Sequence, residues 1–255
     1  EEKVSERTQI LKQALHDLEA SRTQLSQALE REKELNDMKS RFVTMASHEF
    51  RTPLSTILSS ISLVNNYQGN DEKVQRHVQR IRSAVTNMTL ILNDFLSVEK
   101  LETGQVLAHL ETVNWTALLT EIKQEISGLL KLNQHIEWSH HGPVTAQLDP
   151  QLMRNVLLNL ISNAIKFSPE DSTILITSRV DANWFELQVM DTGMGIPINE
   201  QARLFERFFR AQNALNIQGM GLGLHIVKRY VESMKGTITL ESNTSGTRLN
   251  ISIPQ

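Results

Sequence analysis

Residues 149–167 read DPQLMRNVLLNLISNAIKF, and the folding of the second half of the chain turns on this stretch. Its spacing predicts a helix. Asn155, Asn159 and Asn163 sit four apart on one face of it, beside the apolar residues Val156, Leu157, Leu160 and Ile161. Asparagine is a mediocre helix former, so three in a stack point to use rather than default. A neutral carboxamide oxygen can ligate a magnesium ion that already carries phosphate oxygens without adding negative charge. Lys166, one turn beyond Asn163, can reach the same phosphates as a point charge.

Around this helix the pattern alternates between two periods. QVLAHLETVN, HIEWSH, TILITSRV, WFELQVMDTG, GTITLES and TRLNISIP read as strands, while WTALLTEIKQEISGLL and GLHIVKRYVESM read as further helices. The expected fold is an α+β domain of about 150 residues with helices laid on one face of a sheet. Asp191-Thr192-Gly193-Met194-Gly195 ends one strand, and Gly219-Met220-Gly221-Leu222-Gly223-Leu224 opens the last helix. Glycines there let backbone amides approach a ligand, and a helix N-terminus favours phosphate. Leu224 stands where a dinucleotide fold wants its third glycine, and no G-K-[S/T] occurs, which excludes the Rossmann and phosphate-loop readings.

Residues 1 to about 45 contain no glycine or proline. Leu11, Leu15, Leu18, Leu25 and Leu29 form a coiled-coil seam with Arg22 interrupting it, and Leu35, Met38, Phe42 and Met45 continue one residue out of step. A slip of that kind can relay rotation. The first helix is expected to continue through SHEFRTPL to about Asn65, with NNYQGND as a turn. Val74, Val78, Ile81, Val85, Met88, Leu92 and Phe95 then mark a second helix whose apolar stripe must be buried against other helices. One hairpin cannot cover both of its apolar faces, so two chains are expected to pair as a homodimeric four-helix bundle.

Composition excludes several classes. With 255 residues, 40% of them hydrophobic, the chain can bury two cores. A net charge of -3 from interspersed charges gives no attraction to nucleic acid. The lack of cysteine removes disulfides and thiolate chemistry. No apolar run approaches the roughly 20 residues that span a bilayer, so this segment is expected to be cytoplasmic, a fragment of a longer protein, membrane-anchored or not, whose upstream sensor domain is missing.

NLISNAIKF (159–167), DTGMGIP (191–197), RLFERFFRA (203–211) and GMGLGLHIV (219–227) together resemble the N, G1, F and G2 boxes of the ATP-binding domain shared by sensor histidine kinases, DNA gyrase, Hsp90 and MutL. The resemblance implies an α/β sandwich of the Bergerat type that binds ATP with Mg²⁺. It makes Asn163 the magnesium ligand with Asn159 supporting it, and turns Lys166 toward the phosphates. It gives Asp191 the adenine amine to accept, a task for an acceptor-only group. Gly193, Gly195, Gly219, Gly221, Gly223 and Leu224 shape the pocket and the hinges of a lid at about 211–220. Arg210 is placed near the transferred phosphate. Phe167 stands where the family often has tyrosine, so that hydroxyl's bond is lost, and His225 replaces a commonly small residue and is expected to pack or cap.

Residues 47–54, SHEFRTPL, resemble the phosphoacceptor motif H-E-x-x-T-P of the same kinases. Pro53 lacks an amide proton and pushes on the carbonyl of Glu49, so a bend beside His48 is expected. Thr52 shares the face of His48, and Glu49 is rotated by about 100°. The resemblance makes His48 the nucleophile toward the γ-phosphate, Glu49 the group that holds or takes its ring proton, and Thr52 the placer of a water for dephosphorylation. The partner it implies is the receiver domain of a response regulator. Domains are expected at 1–35, 36–103 and 104–255, with a hinge near Leu101 to Gly104. The rival readings are a non-kinase ATPase of the same nucleotide fold and a dimeric scaffold that binds nucleotide without turnover.

Overall fold

In the computed structural model the described residues are 2–66, 71–102, 106–217 and 219–255. By internal contacts the chain divides into Glu1–His48 and Glu49–Gln255. Helix α1 spans Glu2–Asn66 and α2 spans Asp71–Glu102. In the first unit Leu15, Leu18, Leu25 and Leu29 are all exposed, the surface that the heptad pattern assigns to another helix. The side chains of Leu11, Leu35, Met38, Phe42, Met45, His48 and Phe95 lie outside the described residues, as do the turn at 67–70 and residues 103–105 of the expected hinge.

In the second unit α1 keeps Pro53 inside the helix and buried. Leu54, Leu58 and Ile61 of α1 are exposed, and so are Val78, Val85 and Leu92 of the α2 stripe. The remaining elements are β1 (Glu111–Asn114), α3 (Trp115–Ile126), β2 (His135–His141), β3 (Thr145–Leu148), α4 (Pro150–Phe167), β4 (Thr173–Val180), β5 (Trp184–Asp191), α5 (Gly223–Ser233), β6 (Thr237–Asn243) and β7 (Gly246–Pro254). Five strands form one sheet in the order β2-β4-β5-β7-β6, with β2 and β4 parallel and the other pairs antiparallel. β1 and β3 make a separate antiparallel pair, Glu111 opposite Leu148. The predicted strand at 105–114 is thus shorter than expected, because its partner β3 offers only four residues for pairing.

The sheet alternates as an antiparallel sheet with one wet face should. Phe185, Leu187, Val189, Ile251 and Ile253 are buried, while Glu186 is exposed and Gln188 and Asn250 pair on the opposite face at 2.8 Å. Helices α3, α4 and α5 cover the apolar side with Leu119, Ile122, Leu157, Ile161, Ile226 and Val231, all nearly inaccessible. Trp115 is the hinge of this core: its ring meets Phe185 edge-on at 4.8 Å, and its indole Nε1 donates to Ser178 Oγ at 2.7 Å.

Both ends of α4 are fixed. Pro150 occupies its first turn, where no amide proton is needed, and Asp149 caps it by accepting from Leu152 N at 2.9 Å. The same carboxylate accepts from His109 N at 2.9 Å. At the other end Lys131 Nζ donates to the carbonyls of Lys166 and Ser168, and Gln134 Nε2 donates to Ile165 O at 3.2 Å, so the last-turn acceptors are satisfied. We expect Phe185→Ala to cost about 3–5 kcal/mol by emptying the space against Trp115. A lower urea midpoint at unchanged slope checks this, and a shift below about 1 kcal/mol contradicts the role given to that contact.

Candidate functional site

Because α4 packs one side on the sheet, its polar side faces elsewhere. It lines a cavity of about 430 Å³, with the end of β5, the segment 204–217, the glycine turn before α5, part of α2, and Glu49 as the other walls. Asn159, Asn163, Lys166, Phe167, Asp191, Gly195, Arg210, Gly219, Gly221, Gly223 and Leu224 all line it. Gly193 does not, but its N–H donates to Asp191 Oδ1 at 2.8 Å and so orients that carboxylate. Burial raises the Asp191 pKa, opposed by the backbone N–H bonds from Gly193 and Thr247. The result is a fixed acceptor at a strand end.

Two glycines are dictated by close approach. Gly221 has φ +70°, and a Cβ there would stand 2.6 Å from Phe209 O. A Cβ on Gly223 would stand 2.5 Å from Asn159 Oδ1, so a larger residue would displace the carboxamide from the cavity wall. Arg210 lines the cavity while its Nη2 donates to Ala214 O at 2.7 Å, Leu215 O at 2.9 Å and Ile217 O. Asn213 Nδ2 donates to Gly195 O at 2.9 Å, which ties the same segment to the β5 end.

Lys166, Arg210, Glu49 and Asp94 act on one another across the cavity wall. The pKa of Lys166 falls to about 8, first through burial and then through Arg210, against the pull of Glu49 and Asp94. Its Nζ lies 5.0 Å from the centroid of the Phe167 ring. Asp94 of α2 keeps some accessible surface yet lies deep among the lining groups, and burial raises its pKa from 3.8 to about 7 despite a hydrogen bond from Asn159 Nδ2 at 3.3 Å. Neutral carboxamides, the cations Lys166 and Arg210, and a wall that runs past Gly219, Gly221 and Gly223 can hold a phosphorylated ligand, and Asn159 and Asn163 suit a hard divalent cation.

Residues 148–255 match the histidine kinase-, DNA gyrase B- and HSP90-like ATPases, and residues 38–104 match the His Kinase A phosphoacceptor domain. The chain belongs to the histidine kinase family. It is 30% identical over 247 residues to the sensor histidine kinase RcsC of Escherichia coli, covering 93% of this chain and 25% of RcsC. It is 29% identical over 254 residues to the circadian input-output histidine kinase CikA of Synechococcus elongatus, covering 95% and 34%. This chain therefore spans about a quarter of RcsC and a third of CikA. The crystal structure of full-length ShkA in complex with AMPPNP aligns with a TM-score of 0.57 at 29% identity, over 84% of this chain and 45% of that one. The histidine kinase AdeS of Acinetobacter baumannii aligns at 0.56 and 21% identity, over 81% and 97%, a likeness of fold alone.

Thr52 is an exposed helical residue whose carbonyl accepts from Thr56 Oγ1 at 3.1 Å. His48 is helical, with its side chain outside the described residues. The sequence reading missed Asp94, Lys131 and Gln134. Lys131 and Gln134 have no local signal, since they act by reaching a helix end 31 to 37 residues away. His225 packs as expected: Nδ1–H donates to Phe205 O at 3.0 Å and Nε2 accepts from Arg207 Nε at 3.1 Å, which fixes the neutral ring. Burial first, then Arg207 and Arg229, lower its pKa below the ordinary 6.5. The folded state thus binds fewer protons there than the unfolded state, so this stabilisation is complete above the ordinary value and lost as pH falls through it. We expect His225→Gln to flatten the acid limb of stability against pH below about 6.5. Denaturant titrations at several pH values check it, and an unchanged limb contradicts it.

Proposed function

We propose that this chain is the core of a sensor histidine kinase that binds Mg-ATP in the cavity, phosphorylates His48, and passes the phosphoryl group to an aspartate of a response regulator. One observation carries the reading. The wall that holds Asn159, Asn163, Lys166 and Asp191 also holds Glu49, the residue that follows His48 in sequence.

In this reading Asp191 accepts the exocyclic amine of adenine and rejects guanine, whose carbonyl there would face another acceptor. Asn163, supported by Asn159, would hold Mg²⁺, which when bound supplies positive charge against the phosphates. Lys166 orients the polyphosphate from the turn beyond. One ring nitrogen of His48 forms the new N–P bond while the P–O bond to the β-phosphate breaks and ADP leaves with the electron pair. Glu49 holds or takes the proton on the other nitrogen. Positioning is the main catalytic task, since phosphoryl transfer leaves little covalent work to the protein.

The regulator supplies the aspartate that accepts the group in the second transfer. Thr52, exposed and small, would place a water for the reverse duty, dephosphorylation of that partner. The exposed leucines of α1 and the half-open α2 stripe, with Val85 at 49% and Leu92 at 47% exposure, fit burial against a second copy. We assign 1–35 to signal relay, 36–103 to dimerisation and phosphotransfer, and 104–255 to ATP binding. Among the described residues no helix is long and apolar enough to cross a membrane, and we place this core in the cytoplasm.

Incubation with γ-labelled ATP should give acid-labile, alkali-stable label on the chain that disappears in His48→Gln. Label that persists in that variant, or ATP hydrolysis with no labelled protein, selects the non-kinase ATPase instead. Thr52→Ala should retain labelling within about twofold while slowing regulator dephosphorylation by about 10²-fold. Equal loss of both activities would make Thr52 a structural residue only.

A further inference from the structure

Helix α2 meets the ATP-binding domain through two pairs of polar side chains, the members of each pair one turn apart. Ser97 bonds the hydroxyl of Tyr230 on α5, which also bonds Asn155 of α4. One turn earlier Asp94 Oδ1 accepts from Asn159 Nδ2 at 3.3 Å. Nearer the start of α2, Ser83 Oγ donates to Gly128 O at 2.6 Å and Gln79 Nε2 contacts the same carbonyl at 3.4 Å. These bonds set the register of α2, and that register is what carries the Asp94 carboxylate into the cavity lined by Asn159, Asn163 and Lys166.

A carboxylate in that place faces the donors an anionic phosphate needs. Asn159 has already committed one amide proton to Asp94 and directs the same nitrogen at Asn155 O, 3.1 Å away. Lys166 feels the field of Asp94. A polyphosphate entering the cavity must therefore either share these donors with a carboxylate or displace it, and like charges in a poorly solvated site repel strongly. At the other end of the cavity Asp191 is held by the backbone N–H groups of Gly193 and Thr247.

We infer that Asp94 is a positioning residue that competes with the nucleotide's phosphates for Asn159 and Lys166, so that docking of α2 and polyphosphate binding oppose each other. The inference rests on the reading of the cavity as an ATP site. Its consequence is a coupling between two parts of the chain: phosphate entry frees α2 from the ATP-binding domain, and docked α2 weakens the hold on phosphate by the same factor. Adenosine, which reaches only the Asp191 end, should not feel it.

The test is calorimetric binding of Mg-AMPPNP, Mg-ADP and adenosine to the full chain in mildly alkaline buffer, for the wild type, Asp94→Asn and Tyr230→Phe. Asp94→Asn keeps the side chain's shape and removes its charge. Tyr230→Phe loosens the Ser97 tether without touching the cavity charges. Both should tighten Mg-AMPPNP, Asp94→Asn by about tenfold, with a smaller gain for Mg-ADP and none for adenosine. Hydrogen exchange over residues 87–97 should rise on adding Mg-AMPPNP to the wild type and be raised already in Asp94→Asn. Unchanged affinity in Asp94→Asn overturns the competition, and weaker Mg-dependent affinity overturns it by placing Asp94 on the metal's side. A wild type that binds none of the three ligands overturns the ATP reading and this inference with it, whereas normal binding without a variant effect overturns only the inference.

Discussion

A single helix has to be core on one side and cavity wall on the other, and the rest of the domain follows from that. α4 buries Met153, Val156, Leu157 and Ile161 at 0% exposure against the sheet and its neighbouring helices. Each such burial stabilises by about 1.5–3 kcal/mol. Holding Asn159 and Asn163 toward the cavity costs far less, because their amides keep partners or reach accessible surface. The apolar face therefore fixes the azimuth of the helix, and the asparagines and Lys166 are aimed as a by-product. Fixing the axial position is a separate task, met by Asp149 at one end and by Lys131 and Gln134 at the other.

The charges of the site are arranged against their own preferences. Burial penalises the Lys166 ammonium and Arg210 repels it further, so its pKa drops to about 8. Asp94 is penalised in the opposite direction, up to about 7. A site in which both signs are destabilised by desolvation responds strongly to any added charge, since each group gains from a partner what it lacks from solvent. That property suits a pocket whose occupant carries several negative charges and arrives with a cation.

Much of this was legible in residue order. The four motifs lie in the right sequence, and among the described residues six of the seven strands and all five α-helices follow from period-2 and period-3.6 patterns. β3 escaped because TAQL is four residues long and alternates over too short a window to register. The expected cavity residues came together because each motif sits at an element end, where chemistry and turn geometry coincide in sequence. Asp94 was illegible for the opposite reason. It lies mid-helix beside Asn93, with ordinary neighbours, and its meaning arises only when Ser97, Tyr230 and Asn159 set the helix against the domain. Gln134 was silent likewise, since its partners Ile165, Pro169 and Ser172 are about 31 to 38 positions later.

Arg210 shows how one side chain can serve two functions without conflict. Its donors are given to the carbonyls of Ala214, Leu215 and Ile217, which closes the segment 210–217 on itself. Those carbonyls are neutral dipoles, so they orient the guanidinium without cancelling its charge. The field of the cation still reaches Lys166, whose lowered pKa registers it. All three contacts come from the one nitrogen Nη2, at the end of a long side chain that reaches from the cavity wall to the carbonyls of 214–217. The donors thus serve the backbone of 214–217, while the charge acts on the pocket.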